Sequence, residues 1–117
     1  MKIFKMNGVE WKIFEASQKE IKQINNSRAG SGEKDDVESL KDRYYGITFA
    51  DLCKIYIDED LPQDRKRKTL IHELTHCYIV SYITHQDKSY DEEMVADIVA
   101  NSHDIIKEIV DEYFKEK

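Results

Sequence analysis

The chain reads as an α+β protein. Three observations predict this. An Asn7-Gly8 pair joins two short β-forming runs. A second β-rich pair follows at residues 43–49 and 53–58. The C-terminal half then carries two long stretches whose apolar residues recur three and four apart. With 117 residues, the chain has enough length for one domain with a modest core, so residues 1–117 are expected to form a single domain. The expected architecture is a small antiparallel or mixed sheet packed on one long helix and a long C-terminal helix.

Residues 2–6 and 9–15 read as strands. Asn-Gly between them is a strong hairpin signal, because both turn positions need positive φ. Trp11, Ile13 and Phe4 are the expected core contributions. Ser17 followed by Glu20 has the spacing of a capping box, and Ile21 and Ile24 continue a short helix to about Asn25. Residues 26–39 hold two glycines, several charges and few apolar side chains, so they are expected to form a mobile loop. A lid over a cleft is the functional alternative for that stretch. Tyr44, Tyr45, Ile47 and Phe49, then Ile55, Tyr56 and Ile57, supply β-formers for a second hairpin.

The first long helix is expected to start at Pro62, where a missing N–H does no harm, and to end between Tyr82 and His85. The last is expected to begin near Tyr90 or Asp91, with Asp91, Glu92 and Glu93 favouring its N-terminus through the helix dipole. Its stripe of Val95, Ile98, Val99, Ser102, Ile105, Ile106, Ile109, Val110, Tyr113 and Phe114 reads as core.

Charge narrows the partners. The formal net charge of −6 argues against general nucleic-acid binding, which needs a basic footprint. Arg65-Lys66-Arg67-Lys68 is the local exception, but helical geometry points these four in different directions. No apolar run approaches the roughly 18 residues of a membrane span. The first residues lack the apolar stretch of an export signal, so the expected location is the cytoplasm. Cys53 and Cys77 are too few for a disulfide framework, and Cys77 is expected to be a small buried residue.

The chemistry centres on His72-Glu73-Leu74-Thr75-His76, an H-E-x-x-H motif. Residues four apart share a helical face, so His72 and His76 can aim two imidazoles at one cation. Glu73 lies about 100° round the helix, within reach of a water on that cation. Two histidines and a carboxylate base are what a zinc hydrolase requires. Random placement of this composition produces the bare motif in roughly one chain in seventy, so neighbouring sequence must add weight. Leu70, Ile71, Leu74 and Tyr78 supply it by surrounding the motif with apolar residues. Seventeen residues after His76 comes Glu93-Met94-Val95-Ala96-Asp97. Its four-residue spacing puts Glu93 and Asp97 on one face. Glu93 can close a zinc site, and Asp97 can accept a hydrogen bond from a ligating histidine. Glu92 shares its face with Ala96, which has no such capacity. The same E-x-x-x-D spacing occurs at Glu38 and Asp42, in the segment read as loop.

H-E-L-T-H followed by E-M-V-A-D resembles the thermolysin-type gluzincin signature. The wider stretch, Lys54-Ile55-Tyr56-Ile57-Asp58, Leu61-Pro62 and Arg65 through Glu73, resembles the small ImmA/IrrE-like metallopeptidases of phages and mobile elements. The resemblance covers about residues 43–105. It implies a minimal zincin-like fold, one catalytic Zn2+ and peptide-bond hydrolysis, with a protein or peptide as substrate. In some members that substrate is a repressor. It also implies that Asp97 orients His72. Unlike larger members, these 117 residues are expected to carry neither a helix-turn-helix nor an added C-terminal domain.

Two further points follow. Active gluzincins use a Tyr or His to stabilise the oxyanion, and Tyr44, Tyr45, Tyr56, Tyr82, His85 and His103 are the candidates. His85 lies nine residues past His76, where a metzincin would have its third histidine at six. The alternative to an enzyme is a metal-holding interaction protein, such as an antirepressor. Glu73 favours the enzyme, because a pure binder has no use for a base there.

Overall fold

A computed structural model describes residues 1–27, 36–40, 43–83 and 90–115. Two hairpins build most of one mixed sheet. Strand β1 (Lys2–Met6) and strand β2 (Val9–Ala16) pair antiparallel across Asn7 and Gly8, whose φ values of 51° and 79° are the positive values that turn demands. Helix α1 (Gln18–Ser27) follows. The Ser17 hydroxyl accepts from the Glu20 N–H at 3.2 Å, satisfying one of the donors that a helix start leaves open. Strands β3 (Asp36–Leu40), β4 (Arg43–Phe49) and β5 (Lys54–Asp58) complete a sheet of order β1-β2-β5-β4-β3. Among the described residues, only β2 and β5 pair in parallel. The register of β3 on β4 shifts at Glu38/Ser39, and a single residue, Tyr45, falls between the β4 residues paired there.

Helices cover both faces. Ala16, Ile21, Ile47 and Phe49 form a small core under α1, with Ile24, Tyr44 and Tyr56 packed against it. Helix α2 (Gln63–Tyr82) lies on the other face, and helix α3 (Glu92–Phe114) packs on α2. Trp11, Ile13, Ile55, Ile57, Leu70, Leu74, Cys77, Ile98, Ile106 and Val110 fill this larger core. The alternation along β5 explains the division, since Ile55 and Ile57 face α2 while Tyr56 faces the α1 side.

Four details differ from expectation. Helix α1 runs to Ser27, and 36–40 form an edge strand, so the stretch 26–39 is not loop throughout. An edge strand has one neighbour only, so it can form without a strong apolar pattern. Residues 28–35, and with them most of the segment considered as a lid, lie outside the described residues. Pro62 is the N-cap of α2 rather than its first residue, and its carbonyl accepts from the Lys66 N–H at 2.9 Å. On α3, Val95 and Val99 are exposed (48% and 59%), because the helix turns Ile98, Ser102, Ile106, Val110 and Tyr113 inward instead. A 23-residue helix has room for more apolar positions than one packed face can bury. Among the described residues no helix is long and apolar enough to cross a membrane.

Asp58 ties three elements together at the end of β5. It accepts from Arg43 Nε and Nη2 at 2.9 and 2.7 Å, from Gln18 Nε2 at 2.9 Å and from the Asp60 N–H at 2.9 Å. Gln18 also donates to the Tyr44 carbonyl and accepts from its N–H, locking α1 to β4. Burial pushes the Asp58 carboxyl up, but the donors from Asp60, Arg43 and Gln18 outweigh it and hold it below its usual value. A lowered native value means stability that is present above the unfolded pKa and lost as pH falls through the native one. Asp58→Asn should therefore lower stability at pH 7 by roughly 1–3 kcal/mol and flatten the acid limb of the stability curve. Urea titrations at a series of pH values below 5 check both effects.

Candidate metal and catalytic site

Helix α2 presents three faces, and the motif uses two of them. Leu70, Leu74 and Cys77 face the sheet and are fully buried. Thr69 and Glu73 are buried beside them, over β4. His72 is exposed and His76 half-buried. Their Nε2 atoms lie 3.2 Å apart, with ring centroids 4.9 Å apart. Two zinc–nitrogen bonds of about 2.0–2.1 Å at a tetrahedral angle span roughly 3.3 Å, so this pair suits two corners of one zinc. The donor chemistry also fits, since neutral imidazole is a common zinc ligand.

Glu73 is the buried member of the motif, at 0% exposure. Its Oε1 accepts from the Thr48 hydroxyl of β4 at 2.6 Å. Room for the side chain comes from Gly46. A Cβ there would stand 2.7 Å from Thr69 Cγ2, 3.2 Å from Glu73 Oε2 and 3.3 Å from Glu73 Cγ. Gly46 and Thr48 are two apart on β4, so both face α2 and flank the carboxylate. Neither residue belongs to the motif or to its E-x-x-x-D partner. A lone glycine inside a β-forming run was the available signal, since it often marks a close approach of another chain segment.

The second half of the predicted ligand set sits on α3. Glu93 and Asp97 are both exposed, as is Glu92. Asp91 caps the helix by accepting from the Met94 N–H at 2.8 Å. Asp97 lines a crevice with Tyr78, Ile83, Met94, Ile98 and Asn101, where α3 meets the end of α2. Among the described residues, no group of three or more His, Cys, Asp or Glu side chains gathers closely enough to hold a metal. The histidine pair is assembled, and Glu93 stands apart from it. Cys77 adjoins the motif, but burial, then nearby Glu73, raises its thiol far above the usual range, which keeps it protonated and a poor ligand.

The oxyanion candidates have other engagements. Tyr44 Oη accepts from Asn25, and Tyr45 lies under Arg43 and Arg65. Tyr56 packs between Phe14 and Phe49, and Tyr82 Oη accepts from the Asn7 N–H. His103 lines the groove between α2 and α3 with Ile71 and Thr75. His85 lies outside the described residues. The basic run disperses as expected, with Lys66 on Glu15, Arg67 on Asp111 and Arg65 over Tyr45.

Comparison with family models, with curated proteins and with solved structures finds no match to this chain.

Gly46→Ala tests the seat of Glu73. The added methyl meets Thr69 and Glu73 in a closed space, so it should destabilise the fold by about 1–3 kcal/mol, as overpacking does. A lower urea midpoint with unchanged slope is the expected result. A midpoint equal to wild type would show that α2 does not press on β4 at this point.

Proposed function

We propose that the chain is a zinc-dependent metallopeptidase that hydrolyses peptide bonds in a protein substrate. The observation that carries the reading is the convergence of His72 and His76 at 3.2 Å on a helix whose intervening glutamate is held in one orientation. His72, His76 and Glu93 would hold the metal. Zinc, when bound, would polarise the scissile carbonyl and make water acidic enough to react at neutral pH. Glu73 would accept a proton from that water and pass it to the leaving amine. Asp97 would accept from the outer ring nitrogen of a ligating histidine and fix its tautomer. The assignment of Glu93 rests on the E-x-x-x-D spacing after the motif, and joining the pair requires the first turn of α3 to move toward it. The resemblance to ImmA/IrrE-like peptidases suggests a repressor as one substrate to try, and a cytoplasmic location.

A second reading is a metal-holding interaction protein. The complete burial of Glu73 favours it, because a glutamate bonded to Thr48 also serves as a fold element.

Metal content comes first. Protein prepared without chelator should carry about one zinc per chain, and zinc should slow amide exchange in residues 91–97. Glu93→Ala should weaken zinc in a chelator competition far more than Glu92→Ala. Asp97→Ala should weaken it by roughly 10–100-fold. A zinc content that stays near zero after titration rejects the metal site.

Glu73→Gln separates the two readings. It should retain zinc and lose hydrolysis of labelled casein by several orders of magnitude. Equal rates for the two proteins, or no zinc-dependent cleavage by either, would favour the interaction protein.

A further inference from the structure

We infer that Thr48 is a positioning residue for Glu73, acting through a slot on β4 that Gly46 opens. The inference rests on the hydrolase reading. Thr48 is almost wholly buried, and its Oγ1 donates to Glu73 Oε1 at 2.6 Å. The Thr48 hydroxyl is the donor and the carboxyl oxygen the acceptor. The threonine is itself well anchored. Its backbone position is paired with Ile55 of β5 on one side and Asp36 of β3 on the other. A β-branched side chain in a strand has few χ1 choices, so the hydroxyl points one way. Gly46 supplies the complementary half, since Glu73 Oε2 and Cγ lie where a side chain at 46 would begin.

Fixing Oε1 sets the plane of the carboxylate and holds Oε2 on the Gly46 side. A glutamate has three rotatable bonds, so without such a hold its carboxylate would sample several directions. The strand thus holds a base carried by the helix in one orientation. A general base works only within hydrogen-bond reach of its proton, and a misplacement of about 1 Å lowers rate by up to roughly a hundredfold. Thr48 touches neither metal nor substrate in this account and works only through Glu73.

The test compares Thr48→Ala with Thr48→Ser in the full chain. Both remove the methyl group, and only serine keeps the hydroxyl. The first readout is the Glu73 side-chain carboxyl carbon signal in 13C-labelled protein, followed as zinc chloride is added to one equivalent. The second is zinc-dependent hydrolysis of fluorescein-labelled casein. Zinc should move the Glu73 signal in wild type and in Thr48→Ser. In Thr48→Ala that movement should be largely lost, while zinc affinity stays within about twofold. kcat should fall by roughly 10–100-fold in Thr48→Ala at unchanged KM and recover in Thr48→Ser. Equal behaviour of the alanine and serine variants would overturn the inference, since it would reduce Thr48 to packing. A wild type that binds zinc but leaves casein intact overturns the hydrolase reading instead. The carbon signal then decides Thr48 alone: a zinc response that serine keeps and alanine loses supports the inference, and any other pattern overturns it.

Discussion

The close approach of α2 to β4 over Gly46 governs the site. It seats the Glu73 side chain, buried, between Gly46 and Thr48. Burying a carboxylate is unfavourable unless donors meet it, and the Thr48 hydroxyl is one such donor. Once Glu73 points at the sheet, helix geometry settles its neighbours. Successive residues turn by about 100°, so His72 swings outward and His76 follows it one turn later on the same face. The pairing of the imidazoles is therefore a consequence of how the helix is phased on the strand. Leu70, Leu74 and Cys77 hold the same phase from the apolar side.

The rest of the fold keeps that helix in place. Lys66 reaches Glu15 on β2 at 2.7 Å, and Tyr113 of α3 donates to the same carboxylate at 2.5 Å. Glu15 thereby ties the sheet to both long helices. Burial, then the Glu15 carboxylate, raises the Tyr113 hydroxyl well above its usual value, so the contact stays a hydrogen bond from a neutral phenol. Arg67 pairs with Asp111 nearby. These ties lie toward the start of α2 and the end of α3. The opposite ends, where Tyr78, Ile83, Met94 and Asp97 meet, border an open crevice, and the carboxylates proposed to serve the metal lie in the adjoining first turns of α3. The histidine pair is built into the anchored helix, and Glu93 is carried where α3 begins.

Much of this was legible in the sequence, for local reasons. Asn7-Gly8 requires a turn with two positive φ angles, and Ser17 and Glu20 mark a helix start within four residues. The long helices announce themselves by periodicity, and the motif by fixed spacing. What escaped depends on contacts between distant segments. Strand 36–40 gains its partner only from β4, and its own residues carry no strong pattern. Val95 and Val99 match the apolar spacing of α3, yet which part of a wide stripe turns inward is set by α2. Thr48 reaches Glu73 across twenty-five positions, and no local rule pairs a strand hydroxyl with a helix carboxylate. The parallel pairing of β2 with β5 is equally non-local, since α1 and two strands intervene.

X-ray absorption at the zinc edge tests the central claim most directly, because it reads the ligands without needing a substrate. Protein loaded with one equivalent of zinc should show a first shell of nitrogen and oxygen at about 2.0–2.1 Å, with the outer-shell scattering of two imidazoles. His72→Ala should remove half of that outer-shell signal. A sulfur shell near 2.3 Å, or a shell of oxygen alone that His72→Ala leaves unchanged, would contradict a metal held by the His72/His76 pair.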